Sequence, residues 1–406
     1  MSGRLQPKSA GPHSESRRRS YVNALGALLG LALALGAGFA LRFLDETRRP
    51  ELLAYQALIQ APPDLPRALS LSLEAVRRDS ANPYRWSDLG GVYTSLNDFP
   101  NARYCYQRAL ELSRKIPAIW LRDANFHFQL DETPAALVSA ARVVTTVPDY
   151  DSTLFNYLDR VISNPAQVLA EIGGDRRATL AYTEHLLRTG NLSAGTQAWR
   201  FGMDKGFNDV RLSLLYVETL LKARQYEQAQ RDWAASWGTD RGDYPDRNLL
   251  FNGDFEREPT GSSLDWRIMP LGEVETSRDK SAAKQGQWGI WVRFAGTANV
   301  SYSNVEQLVR VTPGPLTLKA WVRTEAITTN EGLRFQIVDS EAPARLDVRT
   351  ASWTGSHDWT LISQTFTVPP ATNLLAIRLV RQPSEEFNNR IKGSVWVDAV
   401  SLVRGK

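Results

Sequence analysis

The sequence predicts a multidomain protein: a single transmembrane helix near the N-terminus, then an all-α solenoid of helical repeats, then an all-β sandwich. Three observations support this fold class. Residues 22–41 form a nearly uninterrupted apolar run, residues 49–150 repeat small and aromatic residues every 34 positions, and residues after 247 alternate apolar with polar side chains. A period of 34 indicates paired helices, and alternation indicates half-buried strands. The roughly 360 residues beyond the apolar run exceed a single hydrophobic core, so at least two domains are expected.

The N-terminal apolar run spans residues 21–43. Between positions 22 and 41 it has 20 residues with Asn23 as the only polar side chain, which gives a helix of about 30 Å, the thickness of a bilayer core. Residues 1–20 are polar and basic, and we expect a disordered tail on the cytoplasmic side, where positive charge accumulates. The alternative is a signal peptide cleaved among the small residues 36–40, but the length of the run favours an uncleaved anchor.

The formal net charge of +4 comes from the tail. Residues 1–20 hold five Arg or Lys residues and one acid, Glu15, so the other 386 of the 406 residues balance to zero. This distribution argues against a nucleic-acid-binding surface. Cys105 is the single cysteine, which excludes an intrachain disulfide. With the anchor, these features predict a single-pass protein of a bacterial inner membrane, with a cytoplasmic N-terminus and most of the chain in the periplasm.

A 34-residue repeat organises the helical region, residues 44–237. Ala68, Ala102 and Ala136 are 34 positions apart in succession, as are Trp86 and Trp120. Within residues 83–116, the signature positions are Trp86, Leu89, Gly90, Tyr93, Ala102, Tyr106 and Ala109. This pattern is similar to the tetratricopeptide repeat. The resemblance implies helix–turn–helix units that stack and present a surface to a protein partner.

The small residues have a physical role in such a unit. Gly90 and Ala102 are expected to let the two helices of a repeat approach closely, and aromatic residues fill the space beside that contact. Repeats are predicted near 49–82, 83–116 and 117–150, an irregular helix pair over 151–174, further pairs over 178–205 and 212–237, and a linker over 238–247.

Residues 248–406 are predicted to form a β-sandwich. Alternating segments separated by turn residues cover 273–276, 289–294, 316–323, 333–338, 365–368, 375–380 and 395–400. Short strands at regular spacing are typical of sandwiches and jelly rolls.

The two ends of this region carry a family resemblance. It opens with NLLFNGDFE at 248–256 and closes with VWVDAVSL at 395–402, with VEQ, PG and AWVRT between them. These motifs resemble the jelly-roll carbohydrate-binding modules of bacterial cellulases and xylanases, although Leu316 stands where that family commonly has tyrosine. The resemblance implies that the opening and closing strands are neighbours. It also implies a structural calcium beside them, with Asp398 and Glu256 as ligands. The alternative is an Asp that ends a strand and a Glu in a turn.

Strand alternation divides the side chains of the sandwich into an inward and an outward set. The outward residues suited to sugar binding are Trp291, Arg293, Trp321, Arg323, Arg334, Gln336 and Arg378. Aromatic rings stack on the C–H faces of sugars, and guanidinium groups pair with the carboxylates of acidic sugars. These residues are predicted to form one glycan-binding face. The alternative is that this face packs on the helical domain or on another protein.

Motifs of common catalytic sites are absent from the sequence, and His13, His127, His185 and His357 lack metal-ligand spacing. The sequence therefore predicts a non-enzymatic, membrane-anchored scaffold or assembly factor of bacterial cell-envelope or exopolysaccharide biosynthesis and export. Its repeats would bind a protein, and its sandwich a polysaccharide. The alternatives are a glycan receptor with the solenoid as a stalk, and a glycan-active enzyme whose carboxylates assemble from distant strands.

Overall fold

A computed structural model describes residues 49–113 and 115–405 of the chain. The predicted basic tail and the predicted transmembrane helix lie outside these residues. Within the described part, no helix combines the length and the apolar composition needed to cross a bilayer. The chain divides into two compact units, one ending at Tyr150 and one beginning at Asp151, which are called unit 1 and unit 2.

Unit 1 is built from three helix pairs. Its described helices are α1 (Pro50–Ile59), α2 (Leu65–Arg78), α3 (Pro83–Ser95), α4 (Phe99–Leu112), α5 (Pro117–Gln129) and α6 (Thr133–Thr146). Helices α3 and α5 both begin at a proline, whose fixed φ suits the first helical position. The side chains of Asp64, Asn82 and Asp98 accept backbone N–H groups at three helix starts. The predicted repeats at 49–82, 83–116 and 117–150 are confirmed.

The small residues of the repeat lie where the helices of a pair meet. Ala68, Ala102 and Ala136 have no exposed surface. A Cβ atom at Gly90 would lie 3.0 Å from the ring of Tyr106, so a larger residue there would push the ring away. The Tyr106 ring in turn stacks on Phe126 of the next pair, with centroids 4.7 Å apart. Among the other signature residues, Leu89 and Ala109 are buried, and Trp86 and Tyr93 are half-buried.

Unit 2 begins with helices and continues as a sandwich. Its helices are α7 (Asp151–Val161), α8 (Pro165–Ile172), α9 (Arg176–Arg188), α10 (Leu192–Asp204), α11 (Val210–Lys222) and α12 (Tyr226–Trp237). Its strands are β1 (Arg267–Ile268), β2 (Val274–Asp279), β3 (Gly289–Ala295), β4 (Tyr302–Arg310), β5 (Gly314–Ile327), β6 (Arg334–Asp339), β7 (Asp347–Arg349), β8 (Gly355–Val368), β9 (Leu374–Arg381) and β10 (Lys392–Arg404).

The strands form two five-stranded antiparallel sheets, as predicted for a sandwich. Sheet A has the order β1-β4-β9-β6-β7, and sheet B has the order β2-β3-β10-β5-β8. Alternate residues of each strand point into a shared core; on β10 these are Val395 and Val397, which pair with Val292 and Ile290 of β3. The opening segment runs beside the closing strand, since the N–H of Leu249 donates to the carbonyl of Leu402 at 2.9 Å.

The seven predicted strand segments fall on strands of the structure, but β1, β4 and β7 were missed, and β4 is the longest of these three. Its sequence is YSNVEQLVR, in which polar Gln307 points inward and is buried. The Gln307 amide donates to the carbonyl of Phe251 and accepts its N–H, at 2.9 and 3.0 Å. Because Gln307 puts a polar residue at an inward position, apolar residues do not occur at every second position of β4. The strand therefore lacks the alternation by which a strand is predicted from sequence.

The last helix pair and the sandwich share one hydrophobic cluster. Trp233 of α12 contacts Phe251 edge-on, with ring centroids 5.5 Å apart, and Tyr244 contacts the same ring. Leu374 of β9 belongs to this cluster, so helices α11 and α12 cover part of the outward side of sheet A. Tyr244 lies inside the predicted 238–247 linker and is buried, so this segment is packed into unit 2.

Candidate functional site

The outward side of sheet B carries a row of aromatic and basic side chains. Trp396 of β10 pairs with Trp291 of β3 and with Arg323 of β5, which aligns the three residues across neighbouring strands. In the next row, Trp321 of β5 pairs with Asp398 of β10 and Leu361 of β8. Directly opposed residues in antiparallel strands project to the same side of a sheet. We call this surface the sheet B face.

Cations lie on the rings of the sheet B face. The guanidinium of Arg323 is 4.6 Å from the ring centroid of Trp396, and the ammonium of Lys284 is 4.9 Å from that of Trp321. Arg323 also lies 3.7 Å from Glu325, and Arg293 lies 3.5 Å from Glu275. Both ion pairs are well exposed, and exposed pairs are weak, so a ligand can displace their carboxylates at low cost.

A groove of about 1000 Å³ adjoins the sheet B face within unit 2. The segment after α12 forms one wall, and strands β5, β8 and β10 form the other. Its lining includes Asp240, Arg241, Arg247, Asp254, Lys319, Trp321 and Leu361. The groove thus offers one indole surface, several charged groups and hydrogen-bonding backbone, which are the chemical features of a polar ligand site.

The two predicted calcium ligands anchor a loop. The carboxylate of Asp398 accepts the N–H groups of Lys284 and Gln285 at 2.6 and 2.7 Å, and Glu256 accepts those of Gln287 and Trp288 at 2.7 and 3.0 Å. Burial raises the pKa of Asp398, although its hydrogen bonds oppose that shift.

Both oxygens of Asp398 and Oε1 of Glu256 already accept backbone N–H groups, and a cation at those oxygens would be repelled by the donors. Calcium at Asp398 and Glu256 stays a prediction from the family resemblance. Among the residues that the structure describes, no cluster of three or more His, Cys, Asp or Glu side chains is placed to hold a metal ion. The arrangement is that of a loop held down by two carboxylates.

The remaining predicted glycan ligands lie on the other sheet. Arg334 and Gln336 are on β6 and Arg378 is on β9, so they project from the outward side of sheet A. The expectation of a single face with all seven residues is therefore wrong. The physical reason is that alternation distinguishes inward from outward side chains, whereas a sandwich has two outward sides.

On sheet A these polar groups already have partners. Arg378 is paired with Glu306, and Arg334 is paired with Glu331. The amide of Gln336 donates to Asp347 at 2.9 Å. A ligand would have to displace each of these contacts, so this side of the sandwich is a poorer candidate than the sheet B face.

Unit 1 contains a second candidate surface. A groove of about 450 Å³ is lined by α1 and α3, with contributions from α2, α4 and α5. Leu52 and Tyr55 of α1 line it and are 43% and 61% exposed. Arg85 pairs with Glu51 at 2.7 Å at its edge. The groove is an apolar trough with paired charges, which suits a peptide or a helix with apolar side chains.

Of the three histidines that the structure describes, two contact carboxylates of neighbouring residues and one is exposed. His127 contacts Glu132 at 2.7 Å, and hydrogen bonds from Arg103 and His127 lower the pKa of Glu132 to about 2. His185 contacts Asp159 at 2.8 Å. His357 is exposed on β8, and His13 lies outside the described residues. The buried thiol of Cys105 has a pKa raised to about 12, because burial disfavours the thiolate.

Sequence reasoning missed Trp396 and the groove. Trp396 lies two residues before Asp398 on β10, so both side chains project to the outward side of sheet B. The alternation along the closing motif could therefore have identified Trp396 from the sequence. The groove carried no signal, because its wall at 240–257 is brought against sheet B only by the tertiary fold.

The chain is similar in fold to several solved structures. A family 16 carbohydrate-binding module is 21% identical and covers 39% of this chain and 100% of its own, with a TM-score of 0.28. TmCBM61 in complex with β-1,4-galactotriose is 22% identical and covers 39% of this chain and 99% of its own, with a TM-score of 0.27. A tetratricopeptide repeat protein from Parabacteroides merdae is 18% identical and covers 45% of this chain and 75% of its own, with a TM-score of 0.24.

No family model and no curated protein matches the chain. In architecture, the chain combines helical repeats similar to tetratricopeptide repeats with a β-sandwich similar to carbohydrate-binding modules.

Proposed function

We propose that this protein is a non-enzymatic recognition scaffold that binds a polysaccharide on the sheet B face and a protein through unit 1. The observation that carries the proposal is the sheet B face itself, where half-buried Trp321 lines an open groove, and Trp291 and the largely buried Trp396 lie in the neighbouring row beside exposed cations. Indole rings offer flat apolar surfaces to sugar rings, and charge-assisted hydrogen bonds hold hydroxyl and carboxylate groups.

The protein-binding half of the proposal rests on the unit 1 groove. Leu52 and Tyr55 expose apolar surface in a trough between stacked helices. Stacked repeats commonly present such a surface to an extended or helical segment.

The predicted anchor at residues 21–43 gives the proposal its location. A chain held at a bacterial inner membrane, with both recognition surfaces in the periplasm, suits assembly or export of a cell-envelope polysaccharide or exopolysaccharide. Fractionation of cells that express the full chain, beside a chain that lacks residues 1–43, tests this location. Recovery of both proteins in the soluble fraction would remove the anchor from the proposal.

The glycan arm is tested by binding of the purified full-length chain to a panel of acidic and neutral polysaccharides. Trp321→Ala should weaken binding at least ten-fold, which corresponds to about 1.4 kcal/mol. Gln336→Ala, on the outward side of sheet A, is the matched control and should leave binding unchanged. Absence of binding to every polysaccharide, or equal losses in both variants, would reject the sheet B face as a glycan site.

The protein arm is tested by crosslinking in cells followed by purification of the full-length chain. Tyr55→Ala should lose a crosslinked partner that the native chain retains, because it removes apolar surface from the groove. Tyr104→Ala is the control, since Tyr104 is 60% exposed, close to the 61% of Tyr55, but lies outside the groove. Glycan binding with no groove-dependent partner would favour the receptor with a helical stalk, and turnover of a bound polysaccharide would favour the enzyme.

A further inference from the structure

The four edge strands of the two sheets differ in length and charge. Sheet A ends in β1, which has 2 residues, and in β7, which has 3. Sheet B ends in β2, which has 6 residues with the sequence VETSRD, and in β8, which has 14. Short length and charged side chains are the usual devices that keep sheet edges from pairing with other strands. Strand β8 is the longest of the four, and its one charged residue, Asp358, lies in its first half.

The second half of β8 is regular and uncharged. Its pairing with β5 runs without a shift from Thr360 opposite Val322 to Val368 opposite Gly314, and the irregular pairs are confined to the part before Thr360. Residues 360–368 read TLISQTFTV, with no charged residue and no proline. β-branched and aromatic residues favour extended structure, so this stretch is well suited to accept another strand.

The outer edge of this stretch has no neighbouring strand, although the Gln364 amide donates to the carbonyl of Thr365 at 3.0 Å. In an antiparallel ladder, alternate residues of an edge strand point their N–H and C=O groups away from the neighbouring strand. Among the described residues, no backbone group of residues 360–368 bonds to the backbone of any strand other than β5. Leu361 on this strand is 49% exposed, and Ser363, Thr365 and Thr367 are exposed as well.

We propose that β8 is a self-association surface, on which two copies of this chain pair their β8 strands antiparallel across a two-fold axis. Opposed residues must share a side of the sheet, so residues of the same parity face each other. With Gln364 on the axis, Ile362 faces Phe366 of the second copy and Ser363 faces its Thr365. Apolar inward residues then meet apolar inward residues, and outward hydroxyl groups meet outward hydroxyl groups.

A second copy suits this edge better than a foreign strand. The stretch offers no charge by which another protein could be selected, and in a symmetric pair it brings no like charges together. The pairing extends sheet B from five strands to ten, and it places the two sheet B faces side by side. This inference stands on the edge itself and does not depend on glycan binding.

The test is the molar mass of the full-length chain by light scattering across micromolar concentrations. The native chain should approach twice the monomer mass, and Ser363→Lys/Thr365→Lys should approach the monomer mass, because the pairing sets introduced lysines opposite each other. Both positions are exposed, but Ser363 stands opposite Lys319 and the Thr365 hydroxyl contacts that of Thr317, so the folding of the variant is measured separately. Ser303→Lys/Asn388→Lys adds the same charge at exposed positions away from β8, and it should behave as the native chain does.

A single cooperative thermal unfolding transition shows that the lysine variant is folded, and its midpoint should lie below that of the native chain by the stability that dimerisation adds. A native chain that is monomeric, or a dimer that persists in the β8 lysine variant, would overturn the proposal. A monomeric chain that instead captures a strand of another protein at β8 would overturn it also.

Disulfide crosslinking between engineered cysteines is a second, independent test of β8 pairing. Gln364→Cys is made in the full-length chain, because the proposed axis passes between the two copies of this residue. It should form a disulfide-linked dimer on mild oxidation, since the two positions on the axis lie within disulfide range of each other. Ser303→Cys is the exposed control and should not form this dimer. Failure of Gln364→Cys to form the dimer, or an equal amount of dimer from the control, would also reject β8 pairing.

Discussion

The two outward sides of the sandwich are built from similar residue types but have different surroundings. On sheet A, the last helix pair packs over Leu374, and Arg378 and Arg334 are joined to carboxylates. On sheet B, Trp321 and Arg323 stand on an open surface beside a large groove. One side therefore serves the stability of unit 2, and the other is available to a ligand.

This difference shows that the two interpretations of the outward residues, glycan binding and packing against the helices, apply to different sides of the same sandwich. Arginine and aromatic residues on an exposed β-surface suit either packing against another element or recognition of a sugar. In this chain, sheet A takes the packing role in part, through helices α11 and α12. What distinguishes the two sides is the element that covers one of them.

The largest effect is expected from the junction between the helices and the sandwich. Trp233→Ala should lower the free energy of unfolding by about 3–5 kcal/mol, because it removes a fully buried indole that contacts Phe251. Trp321→Ala, on the open side, should cost about 1 kcal/mol or less. Chemical denaturation of the full chain, followed by fluorescence, measures both. Equal losses would mean that the sheet B face is also a buried interface.

A polar contact across the same junction should give the next largest effect. Glu218 of α11 accepts the N–H and the hydroxyl of Ser263 at 2.7 and 2.9 Å. Glu218→Ala leaves both donors without this partner and should cost about 1–3 kcal/mol of unfolding free energy. Glu227→Ala removes an exposed carboxylate 3.6 Å from Arg310 and should cost less than about 1 kcal/mol. The same denaturation assay compares them, and a larger loss for Glu227→Ala would contradict the packing account.

Ligand binding should separate the arginines of the two sides. If the sheet B face binds glycan as proposed, Arg323→Ala should weaken binding roughly five-fold, or about 1 kcal/mol, because one charge-assisted contact is lost. Arg378→Ala should not change binding, since its guanidinium is already paired with Glu306. Isothermal titration calorimetry with the polysaccharide that the native chain binds measures the dissociation constants of both variants. A stronger loss for Arg378→Ala would move the site to sheet A.

The smallest effect is expected from calcium. Because backbone N–H groups occupy Asp398 and Glu256, addition of calcium or of a chelator should leave the thermal unfolding midpoint unchanged. Specific binding at 100 times the dissociation constant would instead add about 2.7 kcal/mol of stability. A rise in the midpoint that Asp398→Asn abolishes would instead support the calcium site predicted from the family resemblance.

The fold was largely predictable from local patterns. The spacing of Ala68, Ala102 and Ala136 indicated the helix pairs, since those positions must be small wherever two helices meet. Alternation along β3, β5 and β9 indicated the strands. Strand β4 escaped because Gln307 points inward to satisfy the backbone of Phe251, a partner 56 positions away.

The candidate site was predictable only in part. Outward parity selected Trp291, Arg293, Trp321 and Arg323 correctly for the sheet B face, and the same rule would have selected Trp396. It could not separate these residues from Arg334, Gln336 and Arg378, because parity carries no information on which sheet a strand joins. The neighbours of β10 are β3 and β5, and each pairing spans a long stretch of chain.

By itself, the sequence determined the order of the parts, the period of the repeats and the inward or outward direction of each strand residue. These properties depend on near neighbours along the chain, because the period of a helix or a strand determines which neighbouring residues share a face. The tertiary structure alone decided which outward side is covered, where the groove lies and which sheet edge is left open. Those properties depend on contacts between segments far apart in sequence, whose partners no local pattern records.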